Sequence, residues 1–448
     1  MAQKRYDESE RRAVALHLQA MQDERTGLMP FGVNGPIATI EKGIYTMTWP
    51  DTSVSMDFDF VTTERRTGET YAEVTIYFPD SVDPFAMQRT RLNLLSTDRR
   101  DRLAKGLADR TAQKLDWRKM LDQAVQWVMT EHRNGEPAVM LPDVVEPDQP
   151  GRSLLPPILA EDGATILFGD GGASKSYLAL AIGASLQSGY DVIPQMEPSE
   201  IRQVAYCDWE WSAHVHKRRL RRLWGNDDMP QMLYVPCRLS LREERDRLRR
   251  VFRQHKIDFM IVDSVALAAG GEPESAEVAV GFFAALRELD MPSLLIAHVT
   301  NAAAKSGADR PFGSAFWHNS ARSTWYVKRA EEQSGDTLAI GLYHRKANDA
   351  SRSMPIGLTW HHEQDRTYIV RSNVEAVASL ESELPTGKRI ELLLRGGPMT
   401  IADLSEQMDL SVGAIRMALQ RGRGTRFVQA PGRHGEPSTW ALMAQDVA

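Results

Sequence analysis

The spacing of apolar residues divides the chain into four zones. From residue 43 to residue 78, the runs GIYTMTW, VSMDFDFVTT and TYAEVTIYF alternate apolar and polar positions and are separated by turn residues. A period of two residues is typical of strands that bury one face. This zone therefore predicts a small antiparallel sheet after a charged helical start.

Helical spacing follows the predicted sheet. The run STDRRDRLAKGLADRTAQ begins with a Ser/Thr cap candidate. In DWRKMLDQAVQWVMTEH, one stripe holds Trp117, Leu121, Val125 and Val128, which we interpret as core packing. Residues 1–135 are thus predicted to form an N-terminal α+β domain. The proline- and acid-rich stretch after it predicts a linker over residues 136–153.

In the third zone, residues 154–372, short apolar runs typical of buried strands alternate with segments of helical spacing. The apolar runs TILFG, QVAYCD, MLYV, DFMIVD and SLLIAH are separated by helical segments. This alternation is typical of an α/β fold with a mainly parallel sheet covered by helices. Two later runs, STWYVKR and LAIGLYHRK, lie close together and predict a hairpin at one edge of that sheet.

The fourth zone, residues 384–448, contains three short helical patterns and a hairpin pattern. The helices are predicted in TGKRIELLLRGG, TIADLSEQMDL and SVGAIRMALQRG, with Thr400 and Ser411 as caps of the second and third. The run RFVQAPGRHGEPSTWALM predicts a hairpin with a Pro/Gly-rich tip. Three helices and a hairpin predict a winged helix-turn-helix.

Composition narrows the class of protein. The 448 residues, 42% hydrophobic, are typical of a globular protein of several domains. A net charge of -6 argues against a wholly basic nucleic-acid binder but allows a local basic patch. The two cysteines, Cys207 and Cys237, have no zinc spacing. We expect a cytoplasmic protein without a membrane partner, since no signal or spanning run occurs.

The run TILFGDGGASKSYLAL contains a candidate phosphate-binding loop. It fits G-x-x-x-x-G-K-[ST] between a strand and a helix, except that Ser174 replaces the last glycine. Backbone amides and the helix N-terminus are expected to bind phosphates, Lys175 to add charge and the Ser176 hydroxyl to hold Mg²⁺. With ATP and Mg²⁺ as cofactors, the predicted nucleotide-binding residues are Gly169, Gly171, Gly172, Ala173, Ser174, Lys175, Ser176 and Tyr177.

The missing glycine changes the expected backbone energy. If residue 174 needs a positive φ, serine costs on the order of 1 kcal/mol there. Gly171 and Gly172 stand close by and can take up much of that strain. We therefore expect a functional loop.

Acidic residues follow two of the predicted strands. Asp263 ends DFMIVD and is the predicted ligand of Mg²⁺ at the carboxyl edge of the sheet. In VAYCDWE, Glu210 is the preferred general base and Asp208 the second choice. The basic run over residues 217–222 is interpreted as a solvated face without a catalytic role.

Polar residues near other strand ends have two possible roles. His298, after SLLIA, is a candidate sensor of the γ-phosphate or a satisfied histidine at a strand end. In LYHRKAND, either one of Arg345 and Lys346 reaches a neighbouring subunit's γ-phosphate, or both belong to a solvated basic hairpin tip. The loop over residues 307–317 is a candidate for facing the centre of an assembly.

These segments, in the order GDGGASKS, YCDWE, MIVDS, IAHVTN, FGSAFW and HRKAND, resemble the RecA-like ATPases, most closely the RepA-like helicase branch of plasmids, phages and mobile elements. The resemblance covers about residues 154–370 and implies a RecA-like core, often in a hexameric ring with ATP between subunits. It implies that Glu210 is the catalytic glutamate, Asp263 the Walker B aspartate and His298 the sensor. It also implies that Lys346 is the trans-acting lysine. Ser174 departs from the pattern and bears on hydrolysis more than on binding.

The C-terminal zone has a local basic excess. No acidic residue occurs from Ser411 to Gly435, whereas five arginines do, which predicts DNA contacts at Arg416, Arg421, Arg423, Arg426 and Arg433. The alternative is a winged helix used for protein contact or ring assembly. In the N-terminal zone, Asp57 and Asp59 share one strand face. We interpret them as its wet face and not as a primase-like metal site, and expect this zone to serve recruitment or oligomer contacts.

The sequence thus predicts an ATP-dependent DNA motor of the replicative helicase type. Its expected partners are single-stranded or forked DNA, further copies of itself and replication proteins. One alternative is a recombinase-like ATPase that forms filaments on single-stranded DNA. Another is a nucleotide-switched DNA-binding regulator with little turnover.

Overall fold

The computed structural model describes residues 35–41, 43–64, 66–78, 87–111, 114–135, 138–144, 153–210, 212–225, 228–299, 310–331, 335–348, 351–431 and 437–443. The chain forms two compact units, Met1–Val145 and Glu146–Ala448. The charged start, residues 1–34, lies outside the described residues. Within the described ranges, no helix is both long and apolar enough to cross a membrane.

The first unit is an antiparallel sheet with two helices. Its strands follow one another in the order of the chain, β1 to β5. Alternate residues such as Met56, Phe58 and Val74 are buried together with one stripe of the second helix. The elements are β1 Ile37–Glu41, β2 Ile44–Trp49, β3 Val54–Thr63, β4 Thr70–Tyr77, β5 Met87–Asn93, α1 Thr97–Ala108 and α2 Trp117–Asn134. The predicted stripe of Trp117, Leu121, Val125 and Val128 is confirmed as core, since all four are buried.

The two aspartates of β3 lie on its half-buried face. Asp57 accepts a hydrogen bond from the Thr46 hydroxyl at 2.7 Å, and Asp59 accepts one from the Phe60 amide at 2.8 Å. Among the described residues, no three potential metal ligands come together. The arrangement fits the wet face of a half-buried strand.

The second unit contains a nine-stranded sheet in the order β14-β13-β12-β11-β6-β10-β9-β7-β8. Strands from β11 to β8 run parallel, whereas β11 to β14 pair antiparallel. The sequence predicted one hairpin at this edge, but β13 and β14 extend the ladder further. The strands are β6 Ala164–Gly169, β7 Val204–Asp208, β8 Leu233–Pro236, β9 Phe259–Asp263, β10 Ser293–His298, β11 Ser323–Arg329, β12 Thr337–Ala347, β13 Ile356–His362 and β14 Thr367–Ser372.

Helices cover both faces of this sheet, so that its central strands are apolar on both sides. Gly183 lets the first of them approach closely, because a Cβ there would lie 2.9 Å from the Ile261 side chain. The helices are α3 Lys175–Ser188, α4 Ala213–Trp224, α5 Leu241–His255, α6 Val265–Ala268, α7 Ala276–Leu289 and α8 Ala315–Ser320.

The C-terminal part of the second unit has a small core of its own. The Thr400 hydroxyl accepts from the Asp403 amide, and Ser411 accepts from Ala414, so both predicted caps are confirmed. The short strands are ordered β15-β17-β16, and the hairpin tip at residues 432–436 lies outside the described ranges. The elements are α10 Thr386–Leu394, β15 Met399–Thr400, α11 Ile401–Met408, α12 Val412–Arg421, β16 Phe427–Ala430 and β17 Thr439–Leu442, preceded by α9 Ala378–Glu381.

The connection into this part is held against the large sheet. The Glu383 carboxylate, 7% exposed, accepts from Lys328 at 3.1 Å and from Arg345 at 2.5 Å. The Tyr343 hydroxyl donates to the Leu380 carbonyl at 2.5 Å. Because both cations are mostly buried, the shared carboxylate offsets a large part of the cost of removing them from water.

We expect Glu383→Gln to lower the free energy of unfolding by about 3–5 kcal/mol, because it leaves two buried cations without their carboxylate. Denaturant unfolding followed by tryptophan fluorescence measures this change. Asp365→Asn, at an exposed turn, is the control and is expected to change the free energy of unfolding by less than about 0.5 kcal/mol. Equal stability of the two variants would show that the pairing contributes nothing net.

Candidate nucleotide site

The phosphate-binding loop joins β6 to α3. Gly169 ends the strand where a Cβ would lie 2.2 Å from the Val327 carbonyl oxygen, so only glycine fits beside β11 there. Within the loop, Gly172 has φ 76° and Ser174 has φ 56°, both in the left-handed region. The Asp170 side chain accepts from the Gly171 amide at 2.8 Å. The chain therefore turns sharply from strand to helix, as such a loop requires.

Ser174 does occupy a position that favours glycine. Its backbone is at φ 56°, ψ 24°, and its side chain makes no capping hydrogen bond to the helix. A left-handed conformation costs a non-glycine residue roughly 1–2 kcal/mol. The loop nevertheless closes, with the Ala173 amide 3.3 Å from the Asp170 carbonyl. Serine therefore strains the turn without opening it.

Lys175 is buried under the loop, with 5% of the residue exposed. Its ammonium donates to the carbonyl oxygens of Gly169 at 2.9 Å and Asp170 at 2.7 Å. Burial lowers its pKa to about 8, against the opposing charges of Asp263, Asp170 and Glu210. The charge is thus held at the inner surface of the loop.

Asp263 ends β9 beside the start of α3. The residue is 1% exposed, and its carboxylate accepts from the Tyr206 hydroxyl at 2.6 Å. Burial raises the pKa of this carboxyl, while hydrogen bonds from Tyr206 and Ser176 oppose the rise. The predicted pair of Mg²⁺-binding side chains, Ser176 and Asp263, therefore lies together. A hydroxyl and a carboxylate are oxygen donors that suit Mg²⁺.

Glu210 reaches the same edge from the segment after β7. Its Oε1 accepts from the Ser264 hydroxyl and lies 3.8 Å from His298 Nε2. The nearby His298 imidazole lowers the pKa of the Glu210 carboxyl. Burial raises this pKa, and the hydrogen bond from Ser264 lowers it further. With the side chain 28% exposed, an ionised carboxylate here can accept a proton from water.

Asp208 is not available as the second-choice base. The residue is 2% exposed. Its carboxylate accepts from His216 Nε2 at 2.8 Å, from the Tyr234 hydroxyl at 3.1 Å and from the Glu210 amide at 2.9 Å. These contacts fix the backbone at Glu210, so Asp208 supports the candidate base from inside the protein.

One cavity of about 270 Å³ joins these groups. It is lined by residues of the loop and of four other segments, namely Gly172, Ala173, Ser174, Lys175, Ser176, Tyr177, Glu210, Arg219, Asp263, Ile296 and His298. The predicted residues of the loop from Gly172 onward, the two acids and the histidine thus come together.

Arg219 corrects the interpretation of the basic run as wholly solvated. Lys217, Arg218 and Arg221 are exposed, but Arg219 is half-buried and lines the cavity. Helical spacing could have indicated that Arg219 is partly buried, since it lies three residues after His216 and directly before Leu220, which are both buried.

Arg345 and Lys346 lie outside this cavity. Arg345 contacts Glu383 and the rings of Tyr326 and Tyr343. The Lys346 ammonium donates to the carbonyls of His318 at 3.0 Å, Asn319 at 2.7 Å and Ala321 at 2.5 Å. A role in trans stays a prediction. Residues 301–309, which include the first part of the loop predicted to face an assembly, are outside the described ranges.

Three comparisons with known proteins give one partial family match and one similar structure. Residues 130–304 match the model of a family described as AAA domain. Curated protein sequences give no match. A KaiC-like protein from Pyrococcus horikoshii OT3 is similar in structure, at 13% identity and a TM-score of 0.35, over 48% of this chain and 93% of that one. The family match over residues 130–304 and the loop geometry support a P-loop nucleotide-binding core in this part of the chain.

We expect the affinity for Mg·ATP to fall as pH rises above about 8. In the nucleotide-free protein Lys175 loses its proton near that pH, and phosphate charge favours the protonated form, so binding takes up a proton. Well below pH 8 this contribution is fully present, and it is lost as the pH rises through the pKa of Lys175. Isothermal titration between pH 7 and pH 9 measures it, and Lys175→Met is expected to bind weakly with a flat pH profile. An affinity of the wild type that stays constant over this range would contradict the expectation.

Proposed function

We propose that the protein is an ATP-dependent motor on DNA, of the replicative helicase type and similar to the RepA-like branch. The observation that carries the proposal is the convergence of Lys175, Ser176, Asp263 and Glu210 on one cavity. A phosphate-binding cation, a pair of oxygen ligands for a metal and an ionised carboxylate are what nucleotide hydrolysis needs.

The loop and its lysine bind the triphosphate in this proposal. The residues before Lys175 and the N-terminus of α3 line the cavity, and the lysine supplies a full charge. Ser176 and Asp263 would hold Mg²⁺, which when bound neutralises charge on the phosphates. The buried Asp263 is kept in place for this by Tyr206.

Glu210 is the group that activates water. Its Oε1 is oriented by Ser264 and lies near His298, so the carboxylate can accept the proton as the oxygen attacks phosphorus. His298, 42% exposed at the end of β10, can then report the presence of the terminal phosphate through this same contact.

A trans-acting role of Arg345 and Lys346 is part of the proposal. Both lie at the end of β12, and both contact groups of their own chain. In a homo-oligomer, with a hexameric ring as the favoured form, they would turn to the γ-phosphate of a neighbouring subunit. Hydrolysis would then be coupled to movement between subunits.

The C-terminal part is proposed to be a winged helix-turn-helix that binds DNA. Arg416 and Arg421 on α12 are exposed, as are Arg423 and Arg426 after it. Arg433 belongs to the same predicted set but lies outside the described residues. Exposed arginines without nearby acids in the sequence favour binding to phosphates.

Two other functions remain as competing proposals. A recombinase-like ATPase would use the same nucleotide site in filaments on single-stranded DNA. A regulator would bind ATP with negligible turnover and protect one duplex site through α12. Electron microscopy and footprinting separate these from the motor.

Strand displacement on a forked duplex tests the motor directly. We expect the wild type with ATP to separate the strands. Lys175→Ala is expected to abolish binding and unwinding, whereas Glu210→Gln is expected to bind Mg·ATP and to hydrolyse it about 10²–10⁴-fold more slowly. ATP hydrolysis by the wild type without any strand separation would remove the helicase function and leave the ATPase.

We expect Arg416→Ala and Arg421→Ala to weaken DNA binding at every sequence tested, because each substitution removes a positive charge that binds a phosphate. The slope of log K against log salt is expected to become shallower by about 0.9 for each phosphate no longer neutralised. Fluorescence anisotropy with labelled duplex and single-stranded DNA measures both quantities. Arg395→Ala is the control. Arg395 follows α10 and forms ion pairs with Glu391 on that helix and with Glu375, which precedes it. If the three variants behaved alike, α12 would not be the DNA-binding surface.

A further inference from the structure

Arg219 is a cation in the nucleotide cavity that none of the roles above uses. It lies on α4, directly before the buried Leu220, on the side of the helix that faces the sheet. It lines the same cavity as Lys175, Ser176, Asp263 and Glu210. Its neighbours Arg218 and Arg221 are exposed to solvent. Of the basic residues on α4, Arg219 is therefore the one that lines the nucleotide cavity.

The first turn of α3 holds Arg219 at this place. Its guanidinium carbon lies 5.7 Å from the centroid of the Tyr177 ring, within the range of a cation–π contact. The Tyr177 hydroxyl in turn donates to the Arg219 carbonyl at 3.3 Å. Tyr177 follows Ser176 directly, and it also stacks on Trp360 with centroids 4.8 Å apart. Tyr177 therefore positions Arg219, and it is the residue next to Ser176, whose hydroxyl is the candidate metal ligand.

The balance of charges in the cavity indicates that Arg219 can bind phosphate. Lys175 and Arg219 face two carboxylates, Asp263 and Glu210, so the lining by itself is balanced. A nucleoside triphosphate brings more negative charge than one divalent cation neutralises. A planar guanidinium forms bidentate contacts with phosphate oxygens and keeps its charge at any physiological pH.

We propose that Arg219 is a second phosphate-binding cation, supplied by the same chain that carries Lys175. This inference rests on the proposed ATP site and names a further residue of it. The arginine binds the triphosphate from the α4 side of the cavity, and Tyr177 keeps its guanidinium in that orientation. Ground-state affinity for the triphosphate therefore depends on it.

The test compares Arg219→Met, which keeps the length of the side chain without its charge, with Arg219→Lys and with Arg218→Met as the control on the same helix. We expect Arg219→Met to weaken Mg·ATP binding by about tenfold to a hundredfold, in calorimetry or by displacement of a fluorescent nucleotide. Arg219→Lys is expected to weaken binding less, and Arg218→Met to leave it unchanged. The salt dependence of binding is expected to become shallower in Arg219→Met, which a purely structural role would not produce.

Inorganic tripolyphosphate with Mg²⁺ identifies the part of the ligand that Arg219 binds. We expect Arg219→Met to reduce the affinity for tripolyphosphate by the same factor as for ATP. A reduced affinity for ATP alone would place the contact on the nucleoside and overturn the proposal, as would wild-type affinity of Arg219→Met for both probes. If Arg219→Met fails to fold, as thermal unfolding without nucleotide will show, Arg219→Gln takes its place.

The outcome also separates this inference from the function beneath it. A wild-type protein that binds neither Mg·ATP nor tripolyphosphate removes the ATP site and the role of Arg219 together. A wild type that binds and hydrolyses ATP, with an Arg219→Met variant that does the same, removes only the role of Arg219.

Discussion

The register of the parallel strands is the constraint on which the site depends. Gly169 of β6 lies beside His298 of β10, and Asp263 of β9 lies beside Asp208 of β7. Because parallel strands end at the same edge, residues that are far apart in the chain meet there. A shift of one residue in any of these pairings would turn its functional side chain to the other face of the sheet.

Burial gives the groups at this edge their chemical character. Desolvation lowers the pKa of Lys175 and raises that of the Asp263 carboxyl, whereas the contact with His298 keeps the Glu210 carboxyl ionised by lowering its pKa. The apolar surroundings that stabilise the sheet therefore also shift the pKa values of the groups at its carboxyl edge. Asp208 shows the other use of a buried carboxylate, since it orders the backbone that presents Glu210.

One cluster of ion pairs joins the large sheet to the segment that leads into the C-terminal part. Glu383 lies between them in sequence and accepts from Lys328 and from Arg345 on adjacent strands of the large sheet. Arg329, the next residue of β11, reaches the Gly172 carbonyl of the phosphate loop at 3.5 Å. The residue that binds Glu383 and the residue that contacts the phosphate loop are therefore neighbours on β11.

The sequence by itself determined most of the helices and strands and most of the residues that meet at the candidate nucleotide site. The local signals are the spacing of apolar residues, the glycines before Lys175 and the acidic residues at the ends of strands. Most strands and helices form where the spacing predicts them. Tertiary structure alone decided which groups are accessible. It buried Asp208, turned Arg219 into the cavity and gave Arg345 a partner in Glu383, because burial and pairing depend on residues distant in the chain, which no local pattern of residues specifies.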